Sequence, residues 1–91
     1  MAHEVLLHPN VVKMLESMHP KDRTRVKRAL RTLVSDPFTP RSSADIKKLR
    51  GTGGRQDLFR LRIGRFRAIY GVVGKEVRVT DLFERGEGYE V

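Results

Sequence analysis

The sequence predicts an α+β domain in which an antiparallel sheet packs on an N-terminal helical hairpin. Two observations predict it: apolar residues recur at helical spacing within residues 9–36, and they recur at every second position from residue 57 onward. A chain of 91 residues suffices for one domain, residues 1–91, with a thin two-layered core. The expected order of elements is β-α-α-β-β-β.

The N-terminal third is predicted to form a strand followed by two helices. Glu4–His8 is a short strand candidate that Pro9 stops, and proline suits the first turn of a helix. Pro20 begins a second helix in the same way. Because the residue before a proline resists helical backbone, this helix is expected to end before Pro37. Its apolar stripe at helical spacing consists of Val26, Ala29, Leu30, Leu33 and Val34.

The C-terminal third is predicted to form three strands in an antiparallel meander. Gly64 makes a tight connection between the first two strands, and Gly74 with Lys75 turns the chain into the third. Residues 45–50 precede the meander and are assigned no strand or helix. One face of the meander is expected to pack on the hairpin. The apolar residues of that face are Phe59, Leu61, Ile63, Phe66, Ala68, Tyr70, Val72, Val77, Val79 and Phe83.

The chain carries a large and uneven positive charge. It has 19 Lys and Arg against 11 Asp and Glu, a net charge of +8 and a pI near 10.6. Residues 41–67 contribute +7 and residues 21–31 a further +5. This asymmetry indicates a polyanionic partner, either nucleic acid or an acidic protein segment, and charge alone does not choose between the two.

Several classes of function are disfavoured by what the sequence lacks. The absence of cysteine excludes disulfides, thiol catalysis and Cys-based zinc sites. His3, His8 and His19 lie without carboxylates at ligand spacing, so helix capping or plain surface is favoured over a metal site, and no cofactor is predicted. The longest apolar run, residues 68–73, is too short to cross a bilayer, and the first residues do not resemble a secretory signal. A cytoplasmic protein without membrane association is expected.

Arginines on the predicted strands are the strongest candidates for function. Guanidinium groups bind phosphate bidentately and stay charged at any working pH. A solvated basic face is the alternative, although nothing in stability requires so many like charges together. Tyr70 and Tyr89 beside them would suit contacts with RNA or DNA. Five arginines are placed to converge on one sheet face: Arg60, Arg62, Arg65, Arg67 and Arg85. For Arg85 this requires a β-bulge or an early end of the last strand, because strict alternation puts it on the core side.

Four stretches of the sequence are distinctive: three form the fairly specific pattern K-L-x-G followed by L-x-R-x-R-x-G-x-[FY]-R-x-[IV]-Y, and the fourth lies near the C-terminus. They are Lys47–Gly51, Leu58–Arg62, Arg65–Tyr70, and Phe83–Arg85 with Tyr89. Over essentially its whole length the chain thereby resembles the RelE/ParE superfamily of toxins from toxin–antitoxin systems. The resemblance implies a microbial-type RNase fold. In RelE-like members it implies an endoribonuclease that cuts mRNA in the ribosomal A site, where the 2′-hydroxyl of the RNA attacks the adjacent phosphate.

The resemblance also implies roles for individual residues. Arg67 matches the arginine of the aromatic-Arg-x-hydrophobic-Tyr strand, Arg85 the arginine after the last strand, and Tyr89 a C-terminal tyrosine. Arg60 and Leu58 fall where the best-known bacterial members carry lysines proposed for proton transfer. The implied catalytic set is Arg67, Arg85, Tyr89 and Arg60. Because the pKa of arginine exceeds about 12, Arg60 is a poor general base, and weak or ribosome-dependent turnover is expected.

Seven basic residues of the charged segments are expected to bind RNA and the ribosome. They are Lys27, Arg31, Lys47, Lys48, Arg50, Arg62 and Arg65. The implied partners are the ribosome with its rRNA and mRNA, and an acidic RelB-like antitoxin in a toxin–antitoxin heterotetramer.

Two alternatives stay open at this point. A ParE-like toxin on the same scaffold would inhibit DNA gyrase without cutting RNA, and a non-catalytic nucleic-acid-binding module would do neither. Retention of Arg67, Arg85 and a C-terminal tyrosine favours the RelE type, whereas the missing lysines weaken it.

Overall fold

The computed structural model describes residues 2–49 and 57–85 of the chain. Within these residues two helices and five strands follow one another in the order β-α-α-β-β-β-β. In chain order they are β1 (Glu4–Leu7), α1 (Pro9–Ser17), α2 (Pro20–Ser35), β2 (Asp45–Leu49), β3 (Leu58–Ile63), β4 (Phe66–Val73) and β5 (Glu76–Glu84).

Each helix begins with a histidine followed by a proline. The Nδ1 atom of His8 accepts a hydrogen bond from the backbone N–H of Asn10 at 3.0 Å, and Nδ1 of His19 accepts one from Lys21 at 3.2 Å. Each proline occupies the first turn, where a missing N–H costs nothing. The predicted capping role of these two histidines is thereby confirmed. Within the described residues, neither helix is long and apolar enough to span a membrane.

All five strands join one sheet in the order β1-β5-β4-β3-β2. Strands β2 to β5 pair antiparallel, and β1 lies parallel to β5 at one edge. The predicted α+β class and the meander are confirmed, but the predicted order lacks β2. That strand was missed because Asp45–Leu49 has one buried residue, Ile46, between polar side chains on both faces. An edge strand of this kind displays no apolar alternation.

The helices cover one face of the sheet, and the core lies between the two layers. Its buried residues are Val11, Leu15, Met18, Val26, Leu30 and Leu33 from the helical segment and Ile46, Phe59, Leu61, Ile63, Phe66, Ala68, Tyr70, Val77, Val79 and Leu82 from the sheet. We refer to the sheet face opposite the helices as the outer face. Its side chains alternate with those of the core along each strand.

Tyr70 belongs to the core and not to the predicted arginine cluster. It is fully buried, and its ring stacks on Phe59 with the centroids 5.5 Å apart. Its hydroxyl donates a hydrogen bond to the carbonyl oxygen of Pro37 at 2.7 Å, and burial raises the pKa of that hydroxyl above its usual value. The expectation that Tyr70 stands beside the arginines is therefore wrong. Its side chain ties the loop after α2 to the sheet.

A β-bulge reverses the alternation of β5 halfway along the strand. The pairing with β4 shifts by one position at Thr80, which is left out of the register of residue pairs. Before the bulge Val79 faces the core, and after it Leu82 does, with exposures of 1% and 9%. Phe83 consequently lies on the outer face opposite Arg67, and the prediction that it faces the core is wrong.

Candidate functional site

Basic residues from three strands lie together on the outer face. Arg62 on β3 is paired with Arg67 on β4, and Arg60 precedes Arg62 by two residues and so shares its face. On β2, Lys47 is paired with Arg60. Directly opposed residues in a sheet bring like charges within about 5 Å at their Cβ atoms, which is unfavourable without a counter-ion. The outer face therefore concentrates positive charge that a neighbouring anion would offset.

Arg67 lies at the centre of these basic side chains. Its Nη1 atom donates hydrogen bonds to the carbonyl oxygens of Gly64 and Phe66, both at 3.1 Å, so the guanidinium group is held against the β3–β4 turn. Burial lowers the pKa of Arg67 below its usual value, and the positive charges of Arg60, Arg62 and Arg85 lower it further. The charges of three arginines thus act on Arg67, and a bound phosphate would relieve that repulsion.

Asp45 supplies a negative charge within the cluster. Its two carboxylate oxygens contact separate arginines: Oδ2 forms an ion pair with Nε of Arg62 at 2.9 Å, and Oδ1 accepts a hydrogen bond from Nη2 of Arg60 at 3.3 Å. The Nε atom of Arg60 is buried and has no hydrogen-bond partner in the described part of the chain. A carboxylate in this place occupies donors that a phosphate group would otherwise engage.

Arg85 reaches the outer face because of the bulge. Its backbone N–H donates to the carbonyl oxygen of Arg65 at 2.6 Å, one step beyond the last residue pair of β4 and β5, Phe66 with Glu84. By alternation from Phe83 its side chain points to the outer face, where its charge acts on Arg67. By strict alternation, Arg85 needs either a β-bulge or an early end of the last strand to reach this face. The structure has both, since β5 contains the bulge and ends at Glu84.

Arg65 does not join the other arginines, contrary to the expectation that all five converge. It follows Gly64 in a two-residue turn, and the φ angle of +59° at Gly64 is open to glycine at little cost. The turn breaks the alternation, and the Arg65 side chain bonds carboxylates on the helix side, Asp22 of α2 and Glu84 of β5, each at 2.8 Å.

The other basic residues predicted to bind RNA are divided between two faces. Lys47 lies on the outer face, whereas Lys48 faces the helix side at the sheet edge and pairs with Asp57 at 2.9 Å. Lys27 and Arg31 of α2 also lie on the helix side, along a groove beside β1. Two predicted residues, Arg50 and Tyr89, fall outside the residues that the structure describes.

The contacts that carboxylates make with these arginines were not predicted. The pairing of Asp45 with Arg62 depends on the strand that the sequence did not reveal, and Asp22 meets Arg65 only through the tertiary packing of α2. The sequence signal for Asp45 was that it is one of two acidic residues in a segment of charge +7, residues 41–67. Within residues 2–49 and 57–85 no group of three or more His, Asp or Glu side chains is arranged to hold a metal ion.

No family model matches the sequence. The individual proteins that are similar to it nevertheless belong to one family. A curated protein of Methanocaldococcus jannaschii named "Putative toxin RelE1" is 34% identical over 89 residues, which cover 97% of this chain and 94% of that protein. A chain of a solved archaeal RelE–RelB complex from Pyrococcus horikoshii OT3 has the same fold, with a TM-score of 0.80, 36% identity, and coverage of 97% of this chain and 100% of that one.

Two more distant structures share the fold. A RelB–RelE antitoxin–toxin complex from Methanococcus jannaschii matches with a TM-score of 0.65 and 20% identity over 87% of this chain and 88% of that chain. An Escherichia coli RelE variant with two arginines replaced by alanine, in the free state, matches with a TM-score of 0.59 and 17% identity over 96% and 86%. With its nearly complete alignment to the curated toxin and its five-stranded sheet, the chain belongs to the RelE family of toxins.

Proposed function

We propose that this toxin is a ribosome-dependent endoribonuclease that cleaves mRNA in the ribosomal A site. The observation that supports it most is the group of four guanidinium side chains that strand pairing brings to the outer face, Arg60, Arg62, Arg67 and Arg85, three of which act by their charge on Arg67. The family to which the chain belongs adds to that support.

In the proposed reaction, the 2′-hydroxyl oxygen of the RNA attacks the adjacent phosphorus and the bond from phosphorus to the 5′-oxygen breaks. The products are a 2′,3′-cyclic phosphate and a 5′-hydroxyl, and the proton lost from the 2′-hydroxyl is balanced by one gained at the 5′-oxygen. Negative charge grows on the phosphate oxygens in the transition state, where preorganised donors stabilise it most.

The arginines have different proposed roles in this reaction, according to their positions. Arg67 is held by the backbone carbonyls of the turn, and Arg85 stands beside it at the end of β5, so these two are proposed to clamp the phosphate. Arg60 contributes charge rather than proton transfer, because a guanidinium group stays protonated. Leu58 is half-buried and has no titratable group. Tyr89 remains a proposed catalytic residue on the strength of the resemblance alone.

Primer extension on programmed ribosomes tests the proposal. We expect the toxin to produce a new end within the A-site codon of an mRNA held on ribosomes, and no such end on the same mRNA without ribosomes. Equal cleavage of free and ribosome-bound mRNA would contradict the dependence on the ribosome. Absence of any cleavage, together with inhibition of DNA gyrase supercoiling, would favour the ParE-like alternative.

Replacing Asp45 with asparagine is expected to tighten RNA binding. The substitution keeps the shape of the side chain and removes the charge that holds Arg60 and Arg62. Binding should strengthen by roughly tenfold, since hydrogen bonds to charged groups are worth about 1.5–3 kcal/mol and tenfold is about 1.4 kcal/mol. The slope of log affinity against log salt should steepen by about 0.7 for each additional phosphate group that the protein neutralises. Fluorescence anisotropy with a 2′-O-methyl RNA, which lacks the attacking hydroxyl, measures both quantities.

Asp57 provides a matched control for this measurement. Its side chain is 45% exposed against 46% for Asp45, and it pairs with Lys48 on the helix side of the sheet edge. Asp57→Asn changes the net charge by the same amount and is expected to alter RNA binding less than twofold, the scale of a rim charge. Equal tightening by the two variants, or none by Asp45→Asn, would contradict the proposed phosphate site on the outer face.

We also propose that an acidic, RelB-like antitoxin binds the helix side of this toxin. A groove of about 260 Å³ runs between β1 and α2, with Lys27 and Arg31 among its lining residues. Its apolar lining is formed by Val5, Leu7, Leu30 and Val34. A segment that folds on binding would place apolar side chains in this groove and carboxylates against the two cations. Lys27 and Arg31 would thus serve the antitoxin rather than RNA.

A further inference from the structure

Arg65 makes three interactions that together link α2 to the end of β5. Its Nη2 atom lies 2.8 Å from Oδ2 of Asp22, and its Nε atom lies 2.8 Å from Oε2 of Glu84. Its guanidinium carbon lies 4.9 Å from the centroid of the Phe66 ring. Two charge-assisted hydrogen bonds and a ring face restrict a guanidinium group far more than one exposed ion pair does.

Asp22, the α2 residue that Arg65 contacts, is itself held in place. Asp22 lies in the first turn of α2, where the helix dipole favours a carboxylate, and its side chain is only 17% exposed. Its second oxygen, Oδ1, accepts from Nη2 of Arg25 at 3.2 Å. The carboxylate therefore has two cationic partners and a rigid helical base, and Arg65 is anchored to an element that packs in the core.

Glu84, the β5 residue that Arg65 contacts, adjoins the proposed active site. Glu84 is the last residue of β5 and directly precedes Arg85, whose backbone N–H donates to the carbonyl oxygen of Arg65 at 2.6 Å. The side chain of Arg65 thus holds the residue before Arg85, and its main chain holds Arg85 itself. Both contacts act at the point where β5 ends.

We infer that Arg65 is a positioning residue, which through Asp22 and Glu84 sets the place of Arg85 beside Arg67. The inference rests on the proposed catalytic role of Arg85. The contacts that carry it lie on the helix side, so they leave the phosphate site on the outer face unobstructed. They also explain why an arginine predicted to contact RNA is turned away from the other arginines.

Glu84→Gln tests this inference against a closely matched control, Glu76→Gln. Glu76 also lies on β5, is 40% exposed like Glu84, and pairs with Arg78 at the same distance of 2.8 Å. We expect Glu84→Gln to lower the single-turnover cleavage rate on saturating ribosomes about tenfold, since small misplacements of a catalytic group cost up to roughly a hundredfold. The affinity for ribosomes should stay unchanged, and Glu76→Gln should retain the wild-type rate.

Combination with Arg85→Ala separates positioning from a general loss of structure. If Glu84 and Arg65 act through Arg85, Glu84→Gln should have no further effect on the residual rate of the Arg85→Ala protein. Asp22→Asn should reproduce the loss of rate that Glu84→Gln causes. A tenfold loss that persists in the Arg85→Ala background, or equal losses in the Glu84 and Glu76 variants, would overturn the inference.

Hydrogen exchange of the Arg85 amide provides a readout that does not depend on cleavage. In Glu84→Gln that amide should exchange several-fold faster, while the amides of β4 keep their protection. If the wild-type toxin does not cleave mRNA but this exchange still accelerates, the proposed function fails and the positioning contact stands. If the toxin cleaves and neither exchange nor rate responds to Glu84→Gln, the positioning inference alone is wrong.

Discussion

Arg85→Ala is expected to lower ribosome-dependent cleavage by about a hundredfold or more, the loss that follows removal of one oxyanion-type donor. Arg85 stands beside Arg67, where a second guanidinium group would meet the charge that develops on the phosphate. The side chain is exposed and contributes nothing to the core, so the midpoint of thermal unfolding should hardly change. Single-turnover cleavage on programmed ribosomes and differential scanning calorimetry measure the two quantities.

Arg78→Ala is the control for this result. Arg78 lies on the same strand, is exposed, and pairs with Glu76 beyond the arginine cluster. Its replacement removes one positive charge from the protein and should leave the cleavage rate within about twofold of the wild type, as expected for a surface charge remote from the site. Retained cleavage in the Arg85→Ala protein together with a large drop in its melting temperature would show that Arg85 has a structural role instead.

Reversing the two charges along the groove, by Lys27→Glu with Arg31→Glu, is expected to weaken antitoxin binding by about a hundredfold. Each new glutamate would face acidic side chains of the antitoxin, and like charges brought together in an interface cost several kcal/mol. Titration calorimetry with an acidic antitoxin of the RelB type measures the affinity. The wild-type pair should show a negative heat-capacity change, because apolar residues of a folding segment enter the groove.

Lys21→Glu with Arg28→Glu makes the same change of net charge elsewhere on α2. Both residues are exposed and neither lines the groove. This variant should bind the antitoxin within about fivefold of the wild type, the difference reflecting long-range attraction alone. Equal weakening by the two double variants would indicate that the antitoxin responds to overall charge, and the groove would lose its assigned role.

Much of the fold was predictable because the elements of the core carry strong patterns. The stripe from Val26 to Val34 could only be buried along one side of a helix, and Phe59 to Ile63 could only alternate as a strand. Prolines and histidines at both helix starts marked the boundaries to within a residue. In each case the signal lay in neighbouring residues, where local geometry decides the outcome.

The parts that the sequence did not reveal depend on tertiary contacts. Strand β2 exists because Ile46 enters the core beside Leu61, a pairing that nothing within residues 45–49 announces. Arg65 is also an arginine and lies two positions before Arg67, as expected for residues on one face of a strand. The turn nevertheless directs its side chain to Asp22 of α2, which lies 43 positions earlier in the sequence. Alternation alone cannot identify which residue of a hairpin turn departs from its face.

The bulge at Thr80 also has a consequence for how the length of β5 could change during evolution. Because Thr80 is the extra residue, deleting its codon would restore strict alternation from Val79 to Asp81 and keep Phe83 and Arg85 on the outer face. The encoded protein would keep every arginine, nearly the same composition and the same net charge. Relatives that are one residue shorter between Val79 and Arg85 would therefore still present Arg85 on the same face as Arg67, a change of length that a survey of amino-acid substitutions alone would overlook.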